Sequence, residues 1–370
     1  MTVNFLNNAV TGVQSLHPYQ PGKPISELAR EFGLNETDIV KLASNENPLG
    51  PSPKALQAIE KALAELTLYP DGAGFALKKA LSDKFGLAQN QITLGNGSSD
   101  ILDFIVRVFV NDGDNVVTSQ HAFAVYGIVS SIVGAQCIAA PAKNYGHDLD
   151  AMLAAINERT KVVFVTNPNN PTGTWVNKQE LTAFLDKVPA HILVLLDEAY
   201  FEFVQEPDYP NGLDLLPNYP NLVVARTFSK AYGLASLRVG YGVSSPEIAD
   251  LFNRVRPPFN VNSLALVAAE AALKDDQYVQ NSITTNTQGM RQLEQGFNDL
   301  GLSYIPSVAN FVAFKMPAGV NAAEVFQKLL AQGVIVRPVA GYEMPEYLRV
   351  SVGTSAENST FLAALKTALA

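Results

Sequence analysis

Apolar residues follow one rhythm up to about residue 240 of this chain and another after residue 260. In the first region, from about residue 55, the short runs NVVTS, QCIAA, KVVFVTNP, HILVLLDEAY and NLVVARTFSK alternate with stretches of helical spacing. Several of these runs are apolar at consecutive positions, which predicts strands covered on both faces, as in a mainly parallel sheet. Between them, SDILDFIVRVFV brings Ile101, Leu102, Ile105, Val108 and Phe109 to one side of a helix. Strands and helices in alternation predict an α/β layer, with helices flanking the sheet on both sides.

Beyond residue 260 a long helical stretch, SLALVAAEAALKDDQYVQNSITTNTQGMRQLEQGFNDLG, leads into the short runs NFVAFK, GVIVRP and YLRVSVG. These predict a smaller α+β domain. In the last run Leu348, Val350 and Val352 fall on one face, and Tyr347, Arg349 and Ser351 on the other. The expected division is an N-terminal arm with part of the small domain over 1–45, a large domain over 46–272 and a small C-terminal domain over 273–370.

Composition sharpens this picture. The 370 residues are 47% hydrophobic and 16% charged, as in a globular protein with a large core. A net charge of -9 makes nucleic acid or an anionic membrane an unexpected partner, so any anion site must be local. The single Cys137 excludes an internal disulfide and a multi-cysteine metal site. The four histidines show no metal-ligand spacing, and no metal is expected. MTVNFLNNAVTG lacks the pattern of a signal peptide, no apolar run reaches membrane-spanning length, and a cytoplasmic protein is expected.

In an open parallel sheet, ligands bind at the carboxyl ends of strands, so the polar residues that end the apolar runs are the candidates. ITLGNGSSD opens a helix at Ser98, where hydroxyls and backbone N–H groups could hold a phosphate; a plain helix N-cap is the alternative. VFVTNPNNPTG ends in amides, and HILVLLDEAY places Asp197, Glu198 and Tyr200 at a strand tip. VVARTFSK ends in Ser229 and Lys230, with Arg238 eight residues on. The charges nearest Lys230 in sequence are Arg226 and Arg238, and like charge favours a neutral amine. An anion cradle, an amide, a carboxylate with a tyrosine, an amine and an arginine match the groups of pyridoxal phosphate: its phosphate, phenolic oxygen, pyridine nitrogen and aldehyde.

The motifs NENPLGPSP, YPDG, GNGSSD, NPNNPTG, DEAY, FSKAYGLASLRVGY, GVIVRP and YLRVSVGT, from about Tyr19 to Gly353, resemble those of histidinol-phosphate aminotransferases, within the fold-type-I aminotransferases. The resemblance implies pyridoxal 5'-phosphate as cofactor. It makes Lys230 the residue that forms the Schiff base and then shuttles the substrate proton, and Asp197 the partner of the pyridine nitrogen. Asn170 and Tyr200 would hold the phenolic oxygen. Ser98, Ser99, Asp100, Ser229 and Arg238 would hold the phosphate, joined by Tyr69 from the neighbouring subunit of a homodimer. Phe123 would stack on the ring; many relatives have tyrosine there, so no hydrogen bond comes from this ring. Ser236 stands where glycine is expected.

For the substrate, the resemblance points to Tyr19, Asn47, Arg337 and Arg349, with Arg349 receiving the α-carboxylate of glutamate. Histidinol phosphate has no such group; its phosphate would lie between Arg349 and Arg337. The expected reaction is a ping-pong transfer of the amino group between histidinol phosphate and 2-oxoglutarate, in histidine biosynthesis. Two readings keep the fold and change the chemistry: an aromatic amino-acid aminotransferase, or a decarboxylase of a phosphorylated amino acid. A sensor fused to a DNA-binding module would need further residues before Tyr19.

Overall fold

A computed structural model of the chain describes residues 5–370; the first four residues of the expected N-terminal arm, and of the segment read against a signal peptide, lie outside them. The strands, in chain order, are β1 (Val40–Lys41), β2 (Ile92–Gly95), β3 (Asn115–Ser119), β4 (Gln136–Ala140), β5 (Thr160–Thr166), β6 (Leu193–Asp197), β7 (Leu222–Thr227), β8 (Gly240–Val243), β9 (Tyr304–Ile305), β10 (Phe311–Lys315), β11 (Val334–Ile335), β12 (Arg337–Pro338) and β13 (Tyr347–Ser351).

Seven of them form the central sheet, in the order β2-β8-β7-β6-β5-β3-β4. The neighbours among β3, β4, β5, β6 and β7 pair in parallel, as the continuous apolar runs predict. Alternate residues of each strand enter opposite cores. Phe164, Leu193, Leu195 and Val223 pack on one side, and Val163, Val194, Leu196 and Val224 on the other. A departure from the sequence pattern is β8, from GYGV, which runs antiparallel between β2 and β7. Its glycines let the neighbours close in: a Cβ on Gly240 would lie 2.4 Å from the backbone nitrogen of Ser98.

The predicted helix at SDILDFIVRVFV spans Ser99–Phe109 and buries Ile101, Leu102, Phe104, Ile105 and Val106. The long helical stretch is two helices, Ser263–Leu273 and Asp276–Asp299, broken at Lys274 and Asp275. The second helix, with Ala322–Ala331 and Ser355–Leu369, covers a four-stranded antiparallel sheet of order β12-β13-β10-β9. There Leu348, Val350 and Val352 enter the smaller core with Phe297, Phe314 and Phe361. The opposite face of β13 is also buried, against residues 43–45 and Asn170. No helix among the described residues is long and apolar enough to cross a membrane.

Candidate active site

Parallel pairing brings the tips of β5, β6 and β7 side by side, with Thr166 opposite Asp197 and Asp197 opposite Ala225. The strand alternation that divides the cores continues at these tips. It turns Thr166, Asp197 and Thr227 toward one face, and Glu198 and Arg226 toward the other. Thr166, Asp197 and Thr227 line a cavity of about 270 Å³, closed on its other side by the small sheet and residues 19–22 and 43–45.

Most of the sequence candidates meet in this cavity: Tyr19, Ser98, Ser99, Phe123, Asn170, Asp197, Tyr200, Ser229, Lys230, Arg238, Arg337 and Arg349 all line it. Ser98 stands at the N-cap of the Ser99–Phe109 helix but makes no side-chain cap bond, which leaves its hydroxyl and the helix N-terminus to the cavity. Beside it, Arg238 adopts a left-handed backbone with φ 57°. Its Nη1 donates to Ser229 Oγ at 3.3 Å and to Ala235 O at 3.0 Å. Close approach at Gly97 makes room for it, since a Cβ there would lie 2.5 Å from Arg238 Nη2.

Lys230 reaches across the cavity floor and its Nζ donates to Ser44 O at 2.9 Å. Burial, followed by the charge of Arg349, lowers the amine to about 7. Of the two like charges the sequence suggested, Arg238 contributes and Arg226 does not. Arg226 points through the opposite face of the sheet, where Nη2 donates to Glu198 Oε2 at 2.7 Å, and the repelling cations are Arg349 and Arg238.

Asp197 is fully enclosed, and burial raises its carboxyl to about 6, against hydrogen bonds that favour the anion. Those donors are Tyr126 Oη to Oδ2 at 2.8 Å and Ala199 N to Oδ1 at 3.2 Å. Tyr200 accepts from Asn45 Nδ2 at 2.9 Å, and Phe123 meets Tyr126 edge-on at 5.8 Å.

The small sheet contributes a second concentration of charge. Arg337 on β12 and Arg349 on β13 are direct cross-strand partners, an arrangement that repels unless an anion lies between or beside them. Arg349 is 5% exposed; it donates to Asn170 Oδ1 and, at 2.9 Å, to Ala43 O, while its buried Nε has no partner. Arg337 donates to Gln20 O at 2.7 Å and lies over the Tyr19 ring at 5.7 Å. The cavity wall thus carries Lys230, Arg238, Arg337 and Arg349 against the lone carboxylate of Asp197, although the chain as a whole has net charge -9.

Three candidates lie off the cavity wall. Asp100, expected among the phosphate-holding residues, instead accepts from Asn96 N at 2.8 Å and Asn260 Nδ2 at 2.9 Å, since a carboxylate would repel a phosphate. Asn47 donates to Ala231 O and Ser282 Oγ, bracing the loop after Lys230, while Asn45 takes the place at the wall. Tyr69 is 83% exposed, stacks on Phe259 and takes no part in lining this chain's own cavity.

Sequence reasoning passed over Ser44, Asn45, Thr166 and Tyr342, which line the cavity, and Tyr126 behind them. Thr166 ends an apolar run as Asp197 does, and that position was its signal. Tyr126 falls three residues beyond Phe123 on a helix, and nothing local marks its partner.

Residues 37–365 match the family described as aminotransferase class I and II. Histidinol-phosphate aminotransferase 2 of Pseudomonas fluorescens is 60% identical over 370 residues, all of both chains. The protein of that name from Pseudomonas aeruginosa is 59% identical over 99% of each chain. Among solved structures, histidinol-phosphate aminotransferase from Sinorhizobium meliloti, in complex with pyridoxal-5'-phosphate, superposes with a TM-score of 0.89 at 31% identity, covering 97% of each chain. Aspartate aminotransferase from Thermus thermophilus, at 21% identity, TM-score 0.82 and 97% and 98% coverage, shares the fold. With its sequence matched end to end and its amine, carboxylate and cations gathered in one cavity, the chain belongs to the histidinol-phosphate aminotransferases, within the class I and II aminotransferases.

Proposed function

We propose that the chain transfers the amino group of L-histidinol phosphate to 2-oxoglutarate, using pyridoxal 5'-phosphate. The observation that carries the substrate is the Arg337–Arg349 cross-strand pair, whose mutual repulsion a doubly charged phosphate relieves. An unphosphorylated aromatic amino acid would not need both cations.

The residues present fit the cofactor. Ser98, Ser99, Ser229, Arg238 and the helix N-terminus are donors for its phosphate. Asn170 and Tyr200 suit the phenolic oxygen, Asp197 the ring nitrogen and Phe123 a ring face. Asp100 supports this cradle from behind, through Asn96 and Asn260, instead of touching the phosphate. When bound, pyridoxal phosphate supplies an aldehyde for an amine and a protonated ring that draws electrons from the substrate's α-carbon.

Lys230 holds the cofactor and, once displaced, moves the proton at the substrate's α-carbon; an amine near 7 can both accept and return it. Asp197 would keep a proton on the ring nitrogen by charge pairing. Arg337, Arg349 and Tyr19 orient the substrate's phosphate, and Arg349 takes the α-carboxylate of glutamate in the second half-reaction.

Two further readings complete the proposal. Tyr69 serves the cofactor phosphate of a second copy, so the active unit is a homodimer; its exposure beside Phe259 supports this. We assign 46–272 and 273–370 to a large and a small domain, and the protein to the cytoplasm.

Stopped-flow spectroscopy of the cofactor-loaded chain, with histidinol phosphate and separately with phenylalanine, tests the substrate. Faster cofactor conversion with histidinol phosphate is expected. Equal or faster conversion with phenylalanine would move the protein to the aromatic class.

A further inference from the structure

Asp197 would form the contact that makes the cofactor ring electron-poor, yet it is 3% exposed at the end of an apolar strand. Burial alone would leave such a carboxyl protonated. A neutral acid cannot pair with a protonated ring nitrogen, so something in the fold must favour the anion.

The groups around Asp197 are few. Glu198 follows it just past the end of β6 and opposes its ionisation; Lys230, beyond β7, favours it, the tyrosines Tyr200 and Tyr209 lie near, and the imidazole of His147 bonds the Thr166 backbone. The direct donors are the Ala199 N–H, at a long 3.2 Å, and the hydroxyl of Tyr126 at 2.8 Å.

Tyr126 belongs to the helix Val125–Ile132 and is 0% exposed. Its ring stacks on Phe164 at 4.6 Å and meets Phe123 edge-on, which fixes the hydroxyl at the cavity's rear wall. Its oxygen also lies 2.7 Å from Thr166 Oγ1. A phenol has one proton. If Tyr126 gives it to Asp197, Thr166 must donate to Tyr126, and the chain Thr166, Tyr126, Asp197 is polarised toward the carboxylate. If Asp197 were protonated, the chain would run the other way.

We propose that Tyr126, backed by Thr166, is the positioning residue of Asp197: its hydroxyl aims the carboxylate at the cofactor's ring nitrogen and holds it as the anion. This rests on the cofactor reading given above. Tyr126 touches neither cofactor nor substrate and acts through Asp197. The same ring also braces Phe123, so one side chain sets both the in-plane and the face-on contact with the cofactor ring.

The test uses the full-length protein, with Tyr126→Phe, which keeps the ring, and Thr166→Val, which keeps the shape. Pyridoxal phosphate affinity is measured against pH by equilibrium dialysis, alongside kcat and KM for histidinol phosphate. For Tyr126→Phe the acid midpoint of cofactor affinity should move up by about one pH unit, the size expected for one hydrogen bond to a charged group. Well below that midpoint kcat should fall about tenfold, and at pH 7 only about twofold, with KM nearly unchanged. Thr166→Val should move the midpoint in the same direction by less, and it carries the test if Tyr126→Phe does not fold. An unmoved midpoint, or a loss equal at all pH values, overturns the proposal. Reductive trapping with borohydride separates the two levels. If the wild-type chain traps no cofactor on Lys230, the reading of the site fails and this inference with it. Trapping on Lys230 with an unmoved midpoint overturns the inference alone.

Discussion

Asp197 and Glu198 are consecutive acidic residues, both buried, and the fold treats them in opposite ways. Strand alternation sends Glu198 to the face of Val194 and Leu196. There Arg226 donates to it from Nε at 2.9 Å and Nη2 at 2.7 Å, and Gly212 N donates at 2.8 Å. The Arg226 guanidinium is sandwiched on the Phe201 ring, 3.6 Å from its centroid, and also binds Asn211. That charge is neutralised inside the protein. Asp197 goes to the other face and receives hydrogen bonds from Tyr126 and Ala199, without a guanidinium to neutralise it. An ion pair with a protein cation would satisfy Asp197 but leave nothing for the cofactor. The difference separates a carboxylate paired with a cation of β7 from one left short of charge compensation, as the proposed pairing with the cofactor requires.

The largest loss is expected at the chemical step. Asp197→Asn should lower kcat by about a hundredfold or more, and Lys230→Ala should remove turnover and the visible absorbance of lysine-bound cofactor. Both variants should stay folded by circular dichroism; a normal rate in either would sink the assignment of the site.

Glu198→Gln and Arg226→Met should do the reverse. Each leaves a buried charge without its partner and should lower unfolding free energy by about 3–5 kcal/mol in denaturant titrations, with kcat per folded cofactor-loaded chain within a few-fold of wild type. A large kcat loss at full occupancy would mean the two faces are not separable.

A smaller effect sharpens the difference through pH. In the cofactor-free chain the Asp197 carboxyl is raised to about 6 from 3.8, so the folded state holds its proton more tightly than the unfolded state. Its ionisation therefore costs stability as pH rises through this window, and the cost is fully present above about 6. Asp197→Asn should make the cofactor-free chain more stable at pH 7, with the gain fading below about pH 4. Thermal melts across pH, compared with wild type, check this.

The smallest effect concerns selectivity. Arg337→Ala should cost about tenfold more in kcat/KM for histidinol phosphate than for phenylalanine if the guanidinium orients the substrate's phosphate as proposed. Equal losses would remove Arg337 from that role.

Much of this was legible along the chain. Buried parallel strands announce themselves as unbroken apolar runs, and their polar terminal residues, Asn170, Asp197, Ser229 and Lys230, do line one cavity because parallel strands end on the same side. Motif order supplied the family. The residues that escaped are those whose meaning lies in a partner far away in sequence. Tyr126 and Asp197 are 71 residues apart, and Arg349 and Ala43 306 apart. Asn47 lay off the cavity wall because only the fold decides which asparagine of ASNENP faces inward. Of the two charges expected to depress Lys230, Arg238 does so, but Arg226 does not, for the same reason: it is four residues away in sequence but on the other side of a sheet, while Arg349 is remote in sequence and close in space.

The sequence by itself determined the layered α/β core, the register of side chains along each strand, and which chemical groups would stand at the strand ends. Those follow from local periodicity, since a strand's alternation is fixed by its own backbone. Tertiary structure alone decided how charge is compensated: which carboxylate meets Arg226, which meets Tyr126, and that Arg337 and Arg349 face one another across a strand pair. Burial and Coulomb energies depend on distances through space, and those distances exist only once the sheet has formed and its helices and second sheet have closed over its tip.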